Sequence, residues 1–371
     1  MAPDFPRKIH HPPVIPEKLL KQHHVYEPFD ARFRAAARLL QAIWREDQEL
    51  PIGSYLTQAG KRRKLGSRIA ASAGEAGGNF LSGDIAHVVR REVAYREPGA
   101  MIDEERLATN LLSSMPLVFN LFAPWVGSLA QASCFLREML PAFTGEATQI
   151  LFEHSPGRGN PNFTGDYSAF DALIRYVDES GRRGFVAIEV KYAEGMREPI
   201  RQRTPEQIAH YDSLSERCGL FVDHALPALR TNPLQQCWRE HMLGQCMVDN
   251  GLYDEGYFVF LSPELNCQAQ AAANAYTSHL TPTAEGKVRF LSLTLEDAIK
   301  KIRLTDPNHA DALYRRYCDF WLVDGEMELS APLFGALRKT EKSAPAESSV
   351  SAAGLALPAA EAPRKRRRRK P

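Results

Sequence analysis

The sequence predicts an α/β fold with the element order α-βββ-α-β, in which helices flank a mixed central sheet and a helical N-terminal region comes first. Two changes in hydrophobic period lead to this prediction. Apolar residues recur at helical spacing over residues 29–145, and from residue 147 they follow the spacing of strands. Helical spacing then returns at Thr204. Alternation of this kind is typical of a sheet with helices packed on it.

The composition is that of an ordinary globular protein, since 44% of the 371 residues are hydrophobic and 25% are charged. No run of eighteen apolar residues occurs, and the first residues lack the apolar stretch of a signal peptide. The six cysteines include no Cys-x-x-Cys pair, so neither a zinc knuckle nor a disulfide framework is expected. We therefore expect a cytoplasmic protein without a membrane partner.

The N-terminal part of the chain divides into two predicted regions. Residues 1–28 are rich in Pro and His without a period and are expected to form an extended arm. Residues 29–145 are predicted to be helical and to pack on the core, beginning with a helix that Asp30 can cap. Within them, Lys61–Lys64 and Arg68 form a basic run. Two interpretations of this run stay open, a flexible loop that contacts phosphate or a solvated surface.

Three strands follow, at about residues 147–154, 169–177 and 184–192. The segment between the last two holds turn formers and charge, which predicts a hairpin. Asp171 and Glu189 lie equally far from position 180, so an antiparallel hairpin turning there sets them nearly opposite each other. Side chains alternate along a strand, and Lys191 therefore shares the face of Glu189.

The pair of carboxylates predicts a metal site. Two such groups repel each other unless a proton or cation intervenes, and hard oxygen ligands suit Mg²⁺ or Mn²⁺. A bound ion can polarise a phosphoryl oxygen and supply water as a nucleophile. Lys191 can orient or deprotonate that water or stabilise charge on the phosphate, and the sequence leaves these roles open. The alternative is a strand with one solvated face, on which Asp171 caps a turn.

Further candidates lie beside the hairpin. Glu153 ends the first strand, where it alternates with His154, so the register decides which of the two faces the ion. Asp166 is a rival to Asp171 as a metal ligand, but it follows a glycine in a loop, whereas Asp171 begins an apolar strand. Arg158 in the same loop is a candidate phosphate contact.

A helix is predicted from Thr204 to Arg217, with Thr204 as its cap and a proline at its first position. Gln207 and Tyr211 lie four residues apart on it and share a face. They are candidates to support the site, and the polar stripe of an amphipathic helix is the alternative. Further helices are predicted at 232–250, 264–280, 295–303 and 308–321, and strands at 256–261 and 288–293.

The last segment differs in composition from the rest. Residues 335–371 are rich in Ala, Pro and Ser and are expected to be disordered, ending in the basic run Arg364–Lys370. The seven charges of this run exceed the net charge of +1, so the remainder of the chain is net acidic. The run resembles a nuclear import signal, but nonspecific nucleic-acid contact is the preferred interpretation.

The order of the hairpin residues resembles the PD-(D/E)XK nuclease superfamily, which includes many restriction and repair nucleases. Asp171 precedes an apolar strand and a turn, and Glu189 and Lys191 are separated by one residue on the next strand. The proline of the family pattern is absent, since Phe170 stands before Asp171. Glu153 matches the acidic residue that many members carry ahead of the Asp strand.

Two further stretches extend the resemblance to roughly residues 30–325. Gln207 and Tyr211 resemble the Gln-x-x-x-Tyr motif of the RecB-like branch, in which both residues support the site and contact DNA. Residues Asn110–Phe122 and Phe152–Arg158 resemble an uncharacterised bacterial group of restriction-endonuclease-like proteins. We expect the first of these segments to pack in the core.

The resemblance implies a restriction-endonuclease-like core over residues 146–325 and a nuclease that hydrolyses DNA phosphodiester bonds. Asp171 and Glu189 are then the ligands of Mg²⁺, for which Mn²⁺ substitutes, and Lys191 and Glu153 complete the catalytic set. An endonuclease in restriction or phage defence is the first hypothesis. A repair nuclease, an exonuclease or an inactive nucleic-acid-binding protein are the alternatives. A homodimer is possible, because nucleases that cut both strands are commonly dimers.

Overall fold

Seven strands occur in the described part of the chain, which comprises residues 10–57, 59–140, 143–197 and 202–330 of a computed structural model. The strands are β1 (Ile52–Leu56), β2 (Arg62–Ile69), β3 (Glu146–His154), β4 (Phe170–Val177), β5 (Arg183–Val190), β6 (Glu255–Ser262) and β7 (Arg289–Thr294). The first two pair with each other, and the other five form one sheet in the order β3-β4-β5-β6-β7.

Thirteen α-helices accompany these strands in the same described residues. They are α1 (Glu17–Gln22), α2 (Arg32–Asp47), α3 (Ala71–Glu75), α4 (Gly83–Ala94), α5 (Glu104–Thr109), α6 (Ser114–Phe122), α7 (Leu129–Met139), α8 (Pro205–Cys218), α9 (Gln235–Asp249), α10 (Cys267–Thr277), α11 (Leu295–Ile302), α12 (Pro307–Tyr317) and α13 (Trp321–Ser330). Short 3-10 helices span Ala123–Val126 and Pro227–Arg230.

The five-stranded sheet is mixed. β3, β4 and β5 are antiparallel neighbours, whereas β5, β6 and β7 run parallel. A parallel connection needs a crossover, and α8 and α9 occupy the one between β5 and β6. The mixed α/β fold and the order α-βββ-α-β predicted from the sequence are confirmed.

The sheet separates two apolar cores. Ile174 and Ile188 point to the core that includes α2, α6, α7, α11 and α12, while Leu173 and Ala187 point to the core that includes α8, α9 and α10. Because both faces are covered, β4 and β5 are apolar on both faces over most of their length. A charged side chain on these strands must therefore find its partners within the protein.

The hairpin between β4 and β5 turns where the sequence predicted it. Asp178 closes the turn, since its carboxylate accepts hydrogen bonds from the amides of Ser180 (2.9 Å) and Arg182 (2.8 Å). Gly181 between them has a φ of +82°, a conformation that glycine adopts without strain. The turn fixes the register of the two strands.

The N-terminal region is not wholly helical. Residues 29–145 were predicted as helices, but β1 and β2 form an antiparallel hairpin within them. The basic run Lys61–Lys64 lies on this hairpin and replaces the alternating apolar pattern by which a strand is usually recognised.

The start of α9 also differs from the prediction. This helix was predicted to begin at Asn232, and in the structure it begins at Gln235.

The predicted arm also holds structure. Within it, α1 buries Leu19, and Val25 is buried just after the helix. The ring of His23 bonds Glu46 on α2 through Nδ1 (3.0 Å) and Glu326 on α13 through Nε2 (3.3 Å). The described part of the arm, from residue 10 onward, thus packs on the rest of the fold.

Two expectations concern other parts of the chain. The tail predicted at residues 335–371, with its basic run, lies outside the described residues. Among the helices of the described ranges, none is by itself long and apolar enough to span a membrane; a pair bent by 115°, Ser114–Val126 with Leu129–Met139, meets the length and composition test only jointly.

Candidate active site

Asp171 and Glu189 lie level on neighbouring strands. Ala172 pairs with Ile188, and one further step along this register sets Asp171 beside Glu189, as their equal distance from position 180 predicted. Both side chains lie on the sheet face of Leu173, which α8 and α9 cover. The arrangement places two carboxylates at one end of the hairpin.

Burial and neighbouring charge disfavour the ionised form of Asp171. Its Oδ2 accepts a hydrogen bond from the amide of Val190 (2.8 Å). Burial raises the pKa of Asp171 well above its ordinary value, and the charges of Glu189 and Glu153 raise it further. The three acidic side chains therefore repel one another when they ionise, and a cation would offset this repulsion.

Glu153, rather than His154, faces the other carboxylates. The two residues on either side of Glu153 pair with β4, which sets it level with Asp171. His154 instead bonds Glu97 through Nδ1. Glu153 has a φ of +48°, a left-handed conformation that is unusual for a non-glycine residue. Burial, and next the charge of Glu189, raise the pKa of Glu153 to about 7.

Arg158 contacts the backbone of Glu153. Its guanidinium donates to the Glu153 carbonyl oxygen and lies 3.4 Å from Glu97. These contacts hold the loop after β3 against the backbone of Glu153. The structure thus brings Arg158 to the edge of the carboxylate cluster.

Lys191 forms a buried ion pair with Glu189, with Nζ 2.7 Å from Oε1 and the two side chains 10% and 3% exposed. Burial alone lowers the pKa of Lys191, but the charges of Glu189, Glu194 and Asp171 outweigh it, so the pKa lies above its ordinary value. Lys191 is therefore a cation at neutral pH. In this arrangement it stabilises negative charge rather than accepting a proton.

Gln236 on α9 joins the ion pair and was not identified from the sequence. Its Nε2 donates to Glu189 Oε1 (2.6 Å), and its Oε1 accepts from Lys191 Nζ (2.8 Å). One amide thereby fixes both ends of the ion pair. The available signal was a polar pair at i and i+4, Gln236 and Glu240, on a helix that buries Cys237 and other neighbours.

Glu240 is the second residue that sequence reasoning missed. Its Oε1 accepts from Gln236 Nε2 (2.9 Å), and its Oε2 is buried without a hydrogen-bond partner in the described residues. Burial raises the pKa of Glu240 well above its ordinary value, and the charge of Glu189 adds to the effect. The surroundings of Glu240 beside the ion pair therefore disfavour its ionised form.

Glu194 anchors the chain just beyond Lys191. One oxygen accepts from the Tyr192 amide (2.7 Å), and the other accepts from the amide (3.1 Å) and hydroxyl (2.9 Å) of Ser114 on α6. Burial alone would raise the pKa of Glu194, but Lys191 and these hydrogen bonds lower it. Lys191 thus has an anionic neighbour on each side in sequence.

Gln207 does not reach the carboxylates. It is exposed at the start of α8, where its side chain accepts from the Thr204 amide (3.1 Å) while its own amide donates to Thr204 Oγ1 (3.3 Å). This reciprocal arrangement is a capping box. The structure therefore assigns Gln207 to the helix end, and a Gln-x-x-x-Tyr site motif is not confirmed.

Tyr211 and Asp166 form a separate buried cluster. The Tyr211 hydroxyl donates to Asp166 Oδ2 (2.5 Å), and Arg239 lies 2.9 Å from the same oxygen. Asp166 Oδ1 accepts from the Thr164 hydroxyl (2.6 Å) and the Ser168 amide (2.9 Å). Burial opposes ionisation of Asp166, but these donors and Arg239 together lower its pKa to about 2. Asp166 thus finds its partners within the protein.

The donor set of Asp171 and Glu189 fits a hard divalent cation. In the described ranges, no group of three or more His, Cys, Asp or Glu side chains is already arranged around a cation position. Asp171 Oδ1 nevertheless has no hydrogen bond among the described residues, and Lys191 compensates the charge of Glu189. Carboxylate oxygens are the ligands that Mg²⁺ and Mn²⁺ prefer. A divalent ion would offset the repulsion that contributes to the raised pKa of Asp171.

Comparison with known proteins gives one match. The family model of the PD-(D/E)XK nuclease superfamily matches residues 28–319, about four-fifths of the chain. The searches of curated proteins and of solved structures found no match. The matched range contains the whole five-stranded sheet together with Asp171, Glu189 and Lys191. The chain belongs to the PD-(D/E)XK nuclease superfamily.

Proposed function

We propose that the protein is a Mg²⁺-dependent nuclease that hydrolyses DNA phosphodiester bonds, with Mn²⁺ able to replace Mg²⁺. The observation that carries this proposal is the level placement of Asp171 and Glu189 beside the protonated Lys191. Membership of a nuclease superfamily supports a nucleic-acid substrate.

In this proposal Asp171 and Glu189 hold the ion. When bound, the ion polarises a phosphoryl oxygen and lowers the pKa of a ligated water. Lys191 is a cation in this environment, so its contribution is to orient the attacking water or stabilise negative charge on the phosphate. Gln236 fixes its ammonium group for that role through a 2.8 Å hydrogen bond.

Glu153 is the best candidate to accept a proton from the water. Its pKa of about 7 places it near the value at which a general base is effective at neutral pH. Arg158 opposes the rise in this pKa and holds the backbone of Glu153, so loss of Arg158 would disturb both its charge and its position. A direct contact of Arg158 with phosphate remains part of the proposal.

Tyr211 supports the site indirectly in this proposal. It holds Asp166, and Asp166 holds Arg239, which lies on α9 one turn beyond Gln236. The guanidinium of Arg203 lies 4.3 Å from the centre of the Tyr211 ring. Gln207 is exposed at the start of α8 and is therefore accessible to DNA. A contact between them stays part of the proposal.

An endonuclease in restriction or phage defence is the proposed biological role, on the basis of the resemblance described above. A repair nuclease or exonuclease is the alternative within the enzyme class. An inactive nucleic-acid-binding protein is less favoured, because buried carboxylates of like charge destabilise a fold and have no use without a cation. The carboxylate cluster is the observation that supports an enzyme over a binding module.

Cleavage of closed circular duplex, linear duplex and single-stranded DNA in Mg²⁺, Mn²⁺ or EDTA tests the activity. We expect metal-dependent cleavage by the wild-type protein and none by Lys191→Ala. Lys300→Ala removes one lysine charge from the surface of α11 and serves as the matched control. Cleavage of closed circles would identify an endonuclease. Equal cleavage by Lys191→Ala would refute the assigned role of this residue.

Calorimetric titration with Mn²⁺ tests the ligands separately from activity. Asp171→Asn should lose Mn²⁺ binding, and Asp166→Asn should retain it, because Asp166 is saturated by donors within the protein. The opposite pattern would transfer the metal site to Asp166.

A further inference from the structure

The hairpin of β1 and β2 is a basic ribbon that lies outside the main sheet. Residues 52–69 carry five positive charges and no acidic residue. Leu56 pairs with Arg62 and Ser54 with Lys64 across the ribbon. All four residues of the run Lys61–Lys64 are exposed. A separate two-stranded element with this charge is unusual in a chain whose net charge is only +1.

The base of the ribbon is fixed to the protein. Gly66 donates its amide to the His24 carbonyl oxygen (2.9 Å), and a Cβ at Gly66 would lie 2.1 Å from the His23 carbonyl oxygen, so only glycine permits this approach. Arg45 on α2 donates to the Gly66 carbonyl oxygen (3.0 Å), and Leu65 is buried. The ribbon is therefore held rigidly at one end.

The two faces of the ribbon differ in their contacts. On one face Arg63 donates to the Tyr26 carbonyl oxygen (2.6 Å) and pairs with Glu27 (3.1 Å). On the other face Arg62 meets only the hydroxyl of Ser54 (3.1 Å), and Lys64 has no hydrogen bond or ion pair among the described residues. The second face, made by Ser54, Leu56, Arg62 and Lys64, is named here the open face. It presents two cations that no acidic side chain of the described ranges neutralises.

A cleft adjoins the face of the ribbon that carries Arg63. Its volume is about 780 Å³, and Glu27, Phe29 and Arg34 are among the residues that line it. Ala193–Gly195, which begin two residues after Lys191, line it as well, and Arg34 donates to the Ala193 carbonyl oxygen (2.5 Å). Glu27 is also the partner of Arg63 on the ribbon. The open face therefore points away from this cleft.

We propose that the open face of the β1–β2 ribbon binds the phosphate backbone of a DNA duplex. Its charge complements phosphate, and a two-stranded ribbon has the width that a DNA major groove admits. Because the base of the ribbon is fixed, a duplex bound here is held in a defined position on the protein. The inference rests on the proposed function for the identity of the nucleic acid.

Duplex binding in EDTA tests the ribbon without cleavage. The variant Arg62→Gln/Lys64→Gln removes two exposed charges, and Lys300→Gln/Lys301→Gln removes two charges from α11, outside the ribbon and the cleft. Fluorescence anisotropy with a labelled duplex should show binding weakened by about tenfold for the ribbon variant and little changed for the control. The slope of log Kd against log salt should fall by about two, because each lost phosphate contact removes about 0.9.

The outcomes separate this inference from the proposed function. A ribbon variant that binds duplex as tightly as the α11 control, with an unchanged salt slope, overturns the role of the ribbon even if the protein is an active nuclease. Weaker duplex binding by the ribbon variant alone supports the role of the ribbon, even if no cleavage is found with any metal. Equal weakening by both variants indicates a general charge effect and also overturns the inference.

Discussion

Asp166 and Asp171 are two carboxylates five residues apart whose surroundings have opposite effects. Asp166 accepts hydrogen bonds from Thr164, Ser168 and Tyr211, and its pKa is lowered to about 2. Asp171 lies among other acids, and its pKa is raised. Burial acts in the same direction on both groups, since it raises each pKa. The neighbouring groups therefore set the direction of each pKa shift. Asp166 is already stabilised as an anion by its partners, whereas Asp171 is not and is suited to bind an external cation.

The largest expected effect separates the two residues by activity and by stability. Asp171→Asn should lower cleavage by about a thousandfold, since a lost metal ligand removes several kcal/mol of transition-state stabilisation. Its metal-free stability in urea should stay the same or rise, because a buried repulsion disappears. Asp166→Asn should instead destabilise the fold by about 3 kcal/mol, because Arg239 loses its buried partner.

Loss of stability in Asp171→Asn, with full stability in Asp166→Asn, would reverse this comparison. Measuring both variants in EDTA and in Mn²⁺ prevents bound metal from masking the difference.

The next effect concerns pH. The pKa of Glu153 in the folded protein is about 7, above the value of about 4.3 in an unfolded chain. The folded state therefore binds the proton more tightly, and metal-free stability falls by about 3 kcal/mol as pH rises from 4.3 to 7. Glu153→Gln should flatten this part of the pH profile in urea unfolding with EDTA present.

The carboxylate of Asp166 has the opposite effect on the pH dependence of stability, and it acts at lower pH. Its folded pKa of about 2 lies below the unfolded value, so its contribution to stability is present above about pH 4 and is lost as pH falls toward 2. A Glu153→Gln profile identical to wild type between pH 4.3 and 7 would argue against the raised pKa.

The smallest effect tests the role of Tyr211. Tyr211→Phe removes the 2.5 Å hydrogen bond to Asp166 and should cost about 2 kcal/mol of unfolding free energy, as expected for a bond to a charged acceptor. Binding of duplex DNA should change little, because the hydroxyl points to Asp166. Weaker binding with unchanged stability would instead favour a direct DNA contact by Tyr211.

The sequence was most informative where short-range geometry decides the outcome. Asp171 and Glu189 lie equally far from the hairpin turn, which was enough to predict that they are neighbours, and strand alternation predicted that Lys191 lies on the same face. Gln236 and Glu240 were missed, because the packing of α9, about fifty residues along the chain, brings Gln236 to Glu189 and Glu240 to Gln236. No local pattern records such a contact.

Two other differences had local causes. The sequence Thr204 to Gln207 has the spacing of a capping box, which competes with the motif interpretation of Gln207 and describes its contacts in the structure. The hairpin at residues 52–69 was missed because consecutive charges conceal the alternation of a strand. For Gln207 the polar side chain had two possible partners, the backbone or a ligand, and sequence alone does not rank them.

The placement of His23 bears on how the protein can be shortened. The family match begins at residue 28 and ends at 319, yet His23 joins α2 to Glu326 outside that range, and the His24 carbonyl oxygen supports Gly66 at the base of the ribbon. A protein trimmed to residues 28–319 would lose both attachments along with the buried side chains of α1. The range that the family model matches is therefore shorter than the range of residues that pack together in the fold.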